Sequence, residues 1–530
     1  MKHNTRHIQR QSFLEGAMIL IIANIVIKLI GAIYKIPLKN LIGADGMGIY
    51  NTAYMPYAFL LNVAAAGVPV ATSRMVAEAA ALGRSAQAKR TFHITMAVML
   101  ALGTALCLIL ICIARPFVES IPNTRAYMSV LVFGPALFFS AVASAYRGFY
   151  QGLSNMYPTA ISQTLEAVVK LVFGYGFAYL AIANGASIEY AAAAAVGGIV
   201  VSTAVSALYL MIRTWIRRPL HGAGEGYSER RGKLAKTLGS IAIPIAVASS
   251  IMSLTNIIDM YIIQSRLQAI GYTESGASAL YGIYETMCVS IMNLPQTLIA
   301  SLTVSLIPII SANLITSSRE TAVRTTESGL RLTSLIAFPC AAGIFVLTGP
   351  ILGLLFTDDV ATATPLLRMM SVSTVFICFV SITNGILQAV GKERVSLWSM
   401  FFGAAVKLAV NYILIGIPTI GIYGAPVGTV ISFAGITVFN LIVIQRSRVA
   451  PRRWGSILKP AAASIAMGIV VWLIYPPFAG ALGAKIGTLA AIAAGAVVYC
   501  VVLYAIHGIY REDIVMLPKG EKIADFLKLK

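Results

Sequence analysis

Apolar runs of about 20 residues, the length a helix needs to cross a bilayer, recur along the whole chain with short polar turns between them. Fourteen segments qualify: roughly 13–38, 47–72, 91–114, 126–146, 158–182 and 189–212, then 239–263, 279–309, 333–356, 363–386, 396–417 and 422–445, and finally about 457–475 and 486–508. Open strands would leave N–H and C=O groups unpaired in hydrocarbon, so the segments are read as helices. The expected fold is an all-α integral membrane protein with 14 transmembrane helices. Pro56, Gly67, Pro69, Pro244, Pro295, Pro308 and Pro339 interrupt several of these spans. Membrane helices tolerate such residues, and kinks also loosen helices that bend between open states.

The pattern is duplicated. RGFYQGLSNMYPTAISQTLEAVVKL, residues 147–171, has a second copy in NGILQAVGKERVSLWSMFFGAAVKL, residues 384–408, 237 residues later. Without a gap, Gly148 matches Gly385, Gln151 matches Gln388, Ser162 matches Ser399, and Val169-Lys170-Leu171 matches Val406-Lys407-Leu408. At a spacing of 234, Gly48-Ile49-Tyr50 recurs as Gly282-Ile283-Tyr284, Arg90-Thr91 as Arg324-Thr325, and Pro116 as Pro350. The expected organisation is therefore an N-terminal lobe over 1–212, a polar linker over 213–237, a C-terminal lobe over 238–445, and two further helices with a tail over 446–530. Each lobe has an even number of spans. The copies then share one orientation and are related by a pseudo-two-fold axis along the membrane normal.

Composition agrees with this reading: 58% of the 530 residues are hydrophobic and only 11% are charged. The net charge of +20 does not indicate a nucleic-acid partner, because the basic residues sit in short turns between apolar runs. With a cytoplasmic N-terminus, 30 of the 40 Lys and Arg fall on the inner side, which predicts both termini in the cytoplasm. The N-terminal stretch is basic and then apolar, yet Lys28 interrupts the run and no small-residue cleavage site closes it, so it reads as the first span rather than a leader. The six cysteines all lie in apolar segments and read as packing thiols, and none forms a metal-spaced cluster with histidine.

The informative residues are charges inside spans. Lys28 and Lys35, seven residues apart, share a face of the first helix. Lys28, Lys170 and Lys407 fall near mid-depth, where a lysine facing lipid costs about 2.5–3.5 kcal/mol. Lysines at one depth on helices of both lobes are expected to face a wet cavity, and a lysine-rich cavity suits a phosphate or diphosphate. Glu166 stands four residues before Lys170, in the favoured order for an i,i+4 pair, whereas Gly403 stands before Lys407. The acids Glu166, Asp259 and Glu285 are packing charges held in salt bridges, ligands for a coupling cation, or groups protonated in transport. Gln151 and Gln388, with several asparagines, either hydrogen-bond sugar hydroxyls or join neighbouring helices.

The opening GAMILIIANIVIKLIGAIYKIPLKNLIGADGMGIYNTAYMPYAFLLNVAAAGVPVATSRMVAE, the RGFYQGLSNMYPTAISQTLEAVVK stretch and NIIDMYII around Asp259 carry a resemblance across the whole chain. They resemble the bacterial polysaccharide-biosynthesis branch, stage V sporulation protein B-like, of the multidrug/oligosaccharidyl-lipid/polysaccharide exporter superfamily. The resemblance implies an alternating-access flippase in the bacterial plasma membrane. It would move an undecaprenyl-diphosphate-linked glycan, such as lipid II or a polysaccharide repeat unit, from the inner to the outer leaflet. Lipid II flippases use basic residues on helix one, and Lys28 and Lys35 occupy similar places. They also carry adjacent arginines on helix two, where this chain reads Phe59-Leu60-Leu61-Asn62, so the glycan itself stays open. The last two spans resemble the lining of a lipid-tail groove.

Two other classes compete. A cation-coupled multidrug exporter of the same superfamily needs an acidic cavity, but four lysines face three acids within the spans. A membrane-embedded glycosyltransferase or polymerase needs supported catalytic carboxylates, and the adjacent acid pair Asp358-Asp359 stands on an outer loop without supporting residues. The expected protein is thus not an enzyme and has no cofactor or metal. It works as a monomer among membrane lipids, with Na+, H+ or the membrane potential as the coupling source.

Overall fold

The computed structural model describes residues 13–217, 229–315, 319–508 and 510. The N-terminal basic stretch, the centre of the expected linker and the basic tail lie outside the described residues. Among the described residues every regular element is a helix, and ten helices are long and apolar enough to cross a membrane. The protein is a multi-pass, all-α membrane protein.

The chain divides into two compact units after Gly282. The first contains α1 (Phe13–Ala65), α2 (Gly67–Ala81), α3 (Ser85–Ser120), α4 (Tyr127–Gly152), α5 (Tyr157–Val169), α6 (Tyr175–Ala183), α7 (Ile188–Arg217), α8 (Arg231–Ala269) and α9 (Glu274–Gly282). Gly43 breaks α1 into two helical segments, because at φ 72° and ψ −178° it takes a conformation that L side chains rarely adopt. The break falls between the first two expected spans. Pro69 lacks the N–H that the Ala65 carbonyl would accept, and α1 gives way to α2 there.

α4 is the hub of this unit, with α3 on one side, α7 on another, and α1 and α2 across it. Tyr34, Met47, Ile49 and Tyr57 of α1, Phe133 and Leu137 of α4, and Val196 of α7 form its main core. The rings of Tyr57 and Phe133 stack with centroids 4.4 Å apart. α8, which begins the second copy by sequence, packs in this unit against α1 and α2, with Leu234, Leu238 and Ala242 against Val68, Ala71 and Met75.

The second unit opens with a π turn over Ile283–Val289 and continues through α10 (Ser290–Ile315), α11 (Arg319–Val346), α12 (Thr348–Leu355), α13 (Val360–Ala389), α14 (Glu393–Ile415), α15 (Gly424–Gln445), α16 (Trp454–Leu482) and α17 (Ala484–Ala505). α13 is its hub, packed by α10, α11 and α15, just as α4 is in the first unit. α16 and α17 pair with each other, and α16 lies on α11. Ser334 Oγ donates to the Ile457 carbonyl at 2.7 Å and Tyr499 Oη to the Leu335 carbonyl at 3.0 Å, joining α11 to both helices. Trp398 and Phe402 on α14 are each 70% exposed and Trp472 on α16 is 67% exposed, as expected of faces solvated by lipid.

Candidate functional site

The charged constellation of the first unit is built around a residue that charge counting alone assigns to a turn. Arg147 lies inside α4, five residues before its end, with a side chain only 14% exposed. Its guanidinium donates to Ser162 Oγ at 3.1 Å and Glu166 Oε2 at 2.7 Å on α5, and to Ser206 Oγ at 2.8 Å on α7. Ser206 Oγ in turn donates to the Ser162 carbonyl at 3.1 Å. One planar fork thus satisfies three oxygens on two neighbouring helices, with a rigid spread of donors that a lysine's compact ammonium lacks.

Glu166 therefore makes its close contact with Arg147, although its charge still acts on Lys170. Among the described residues its ion pair is with Arg147, in place of the i,i+4 pair the spacing suggested. The Lys170 ammonium lies instead over the face of Tyr34, 5.6 Å from the ring centroid, with Glu166 and Lys35 as the charged groups that act on it. Lys170 begins a π turn over Lys170–Gly174 between α5 and α6. Such turns insert an extra residue into a helix and re-aim the side chains after it. The same turn brings Gly174 against α7: a Cβ on Gly198 would lie 2.2 Å from the Gly174 Cα, and a Cβ on Gly174 would lie 2.7 Å from Tyr34 Oη. Gly198 requires glycine for this approach, because the atoms its Cβ would meet are main chain.

The structure thus brings Lys35, Glu166 and Lys170 together and adds Arg147 and Tyr34, which sequence reasoning did not single out. The signal for Arg147 lay in the repeat register, where Asn384 matches Arg147 and Gly403 matches Glu166, so both members of the pair change together. Lys28 is exposed on α1, two turns before Lys35, and Asp259 is buried on α8. Gln151 sits in the last turn of α4, where its carbonyl accepts the N–H of Ser154 at 3.0 Å.

In the second unit Asn384 of α13 accepts from Asn440 Nδ2 of α15 at 2.8 Å, and Asn440 also reaches Thr383 Oγ1 at 3.1 Å. A neutral amide pair therefore joins α13 to α15 where Arg147 joins α4 to α7. Lys407 is half-buried on α14 and Glu285 is half-buried in the π turn before α10. Gln388 is exposed in the last turn of α13, its carbonyl accepting from the Gly391 N–H at 3.0 Å. Among the described residues no group of three or more His, Cys, Asp or Glu could hold a metal ion.

The sequence model of the family described as "Polysaccharide biosynthesis protein" matches residues 13–314, more than half of the chain. The chain belongs to that family. A second model, MatE, matches residues 244–413. Among curated proteins, this member of the polysaccharide biosynthesis family is 23% identical to stage V sporulation protein B of Bacillus subtilis, over 96% of this chain and 98% of that one. It is 24% identical to the lipid II flippase MurJ of the same organism, over 87% of this chain and 89% of that protein. A solved structure of lipid II flippase MurJ in an inward closed conformation superposes with a TM-score of 0.70 at 14% identity, covering 92% of this chain and 99% of the other.

Proposed function

We propose that the protein is an alternating-access flippase that moves an undecaprenyl-diphosphate-linked glycan across a bacterial plasma membrane, from the inner to the outer leaflet. The observation that carries this reading is Lys170, a half-buried lysine whose neighbouring carboxylate is held by another cation. An ammonium in that state offers its charge to an anionic headgroup, and Lys35 acts on the same region. Lys28 on α1 and Lys407 on α14 are assigned to the same cargo, as guide along the path and as counterpart in the second copy. The matches to stage V sporulation protein B and to a lipid II flippase over most of the chain support a lipid-linked substrate. Asp259 and Glu285 are the acids assigned to energy coupling. The protein acts as a monomer with both termini in the cytoplasm.

The test is reconstitution in liposomes with fluorescent lipid II and fluorescent undecaprenyl-diphosphate sugars. Wild type flips at least one of them; Lys28→Ala, Lys170→Ala and Lys407→Ala insert normally and lose flipping. Equal flipping by all four proteins removes the lysines from the mechanism. The MatE match over 244–413 makes a multidrug exporter the second reading. Efflux of organic cations from the same liposomes, with no movement of the lipid-linked sugars, would establish that reading instead.

A further inference from the structure

The two copies of the repeat treat their shared lysine differently. In the first, an acid stands at i−4 from Lys170 and an arginine from α4 takes it; in the second, Gly403 stands at i−4 from Lys407 and Asn384 replaces the arginine. Glu166 and Lys170 sit one helical turn apart in the order that favours a pair. Left to themselves they would neutralise each other. Arg147 prevents this because its fork binds Glu166 together with Ser162 and Ser206, and removing it would leave a partly buried carboxylate with Lys170 as the nearest cation on its own helix face.

We propose that Arg147 is a positioning residue for transport: by holding Glu166 on the α4–α7 side, it withholds that carboxylate from Lys170 and leaves the ammonium over Tyr34 available to the anionic headgroup. This rests on the flippase reading and assigns a role within it. The copy without the acid needs no arginine, and it has none. Arg147 touches no substrate in this scheme; it acts through Glu166.

The test uses the full-length protein in liposomes with a fluorescent undecaprenyl-diphosphate sugar and measures the half-saturating substrate concentration. Arg147→Asn, the residue of the second copy, frees Glu166 to pair with Lys170 and raises that concentration about tenfold, the equivalent of one charge-assisted hydrogen bond. Arg147→Lys retains a cation for Glu166 and recovers part of the loss. The double variant Arg147→Asn/Glu166→Gly reproduces the second copy, leaves Lys170 without a competing acid, and recovers most of it. Thermal unfolding of each variant separates folding from transport. Where Arg147→Asn does not fold, the double variant carries the test alone. Unchanged transport in Arg147→Asn, or a folded double variant that stays as impaired as Lys170→Ala, overturns the proposal. Full transport by Lys170→Ala overturns the flippase site itself, a distinct result.

Discussion

Gly48 and Gly282, matched at a spacing of 234 residues in the repeat, meet backbone to backbone where α9 crosses α1. A Cβ on Gly48 would lie 2.0 Å from the Ser278 carbonyl oxygen, and one on Gly282 would lie 2.1 Å from the Ala44 oxygen and 2.7 Å from the Gly48 nitrogen. The atoms in the way are main chain, so no rotamer change relieves the clash. Gly48→Ala and Gly282→Ala should each destabilise the protein by about 1–3 kcal/mol, the usual range for overpacking, as a lowered unfolding temperature in detergent. A variant as stable as wild type would mean that this crossing is loose.

Beside that crossing, Arg125 donates to Asp45 Oδ2 and to Glu189 Oε1, each at 2.7 Å, with all three side chains largely but not fully buried. Arg125→Ala leaves two carboxylates without their cation and should cost about 1–2 kcal/mol, below the range for a fully buried pair because solvent screens part of the charge. Arg125→Lys should recover only part, since an ammonium lacks the fork that reaches both acids. Unfolding measurements across a salt series check this; the defect should shrink as salt rises.

At the π turn, Gly198→Ala would force α7 away from Gly174 by more than a side chain can absorb. Because Lys170 starts that turn, the expected outcome is a loss of flipping larger than the loss of stability. A variant in which unfolding temperature and transport fall in proportion would show that the turn only packs.

In the second unit, buried Glu327 of α11 accepts the backbone N–H groups of Arg452 at 2.5 Å and Arg453 at 3.0 Å, just before α16. Glu327→Ala exposes two unpaired donors and should lower stability by about 1–3 kcal/mol, whereas Glu327→Gln keeps a carbonyl acceptor and should lose less. Limited proteolysis between α15 and α16 should report the same order. Equal behaviour of the two variants would remove the capping role.

The class of fold was legible because the length of an apolar run is a local property that lipid enforces without regard to neighbours. The internal repeat is a reading of GIY and VKL in the sequence, and of these matches Gly48 and Gly282 meet where α9 crosses α1. The fate of Glu166 was not legible. Spacing alone favours Lys170, four residues on, but Arg147 on α4 wins by adding hydrogen bonds to Ser162 and Ser206. The placement of α8 in the first unit was likewise silent in the duplication, which records descent and not packing.

By itself, then, the sequence determined an all-helical membrane chain, its internal copy, and a few lysines too costly to leave in lipid. Only the tertiary structure decided which acid each cation meets, because pairing depends on how helices distant in sequence cross and on how many hydrogen bonds each candidate partner completes there. Arg147, read as a turn residue in one dimension, becomes a buried clasp in three.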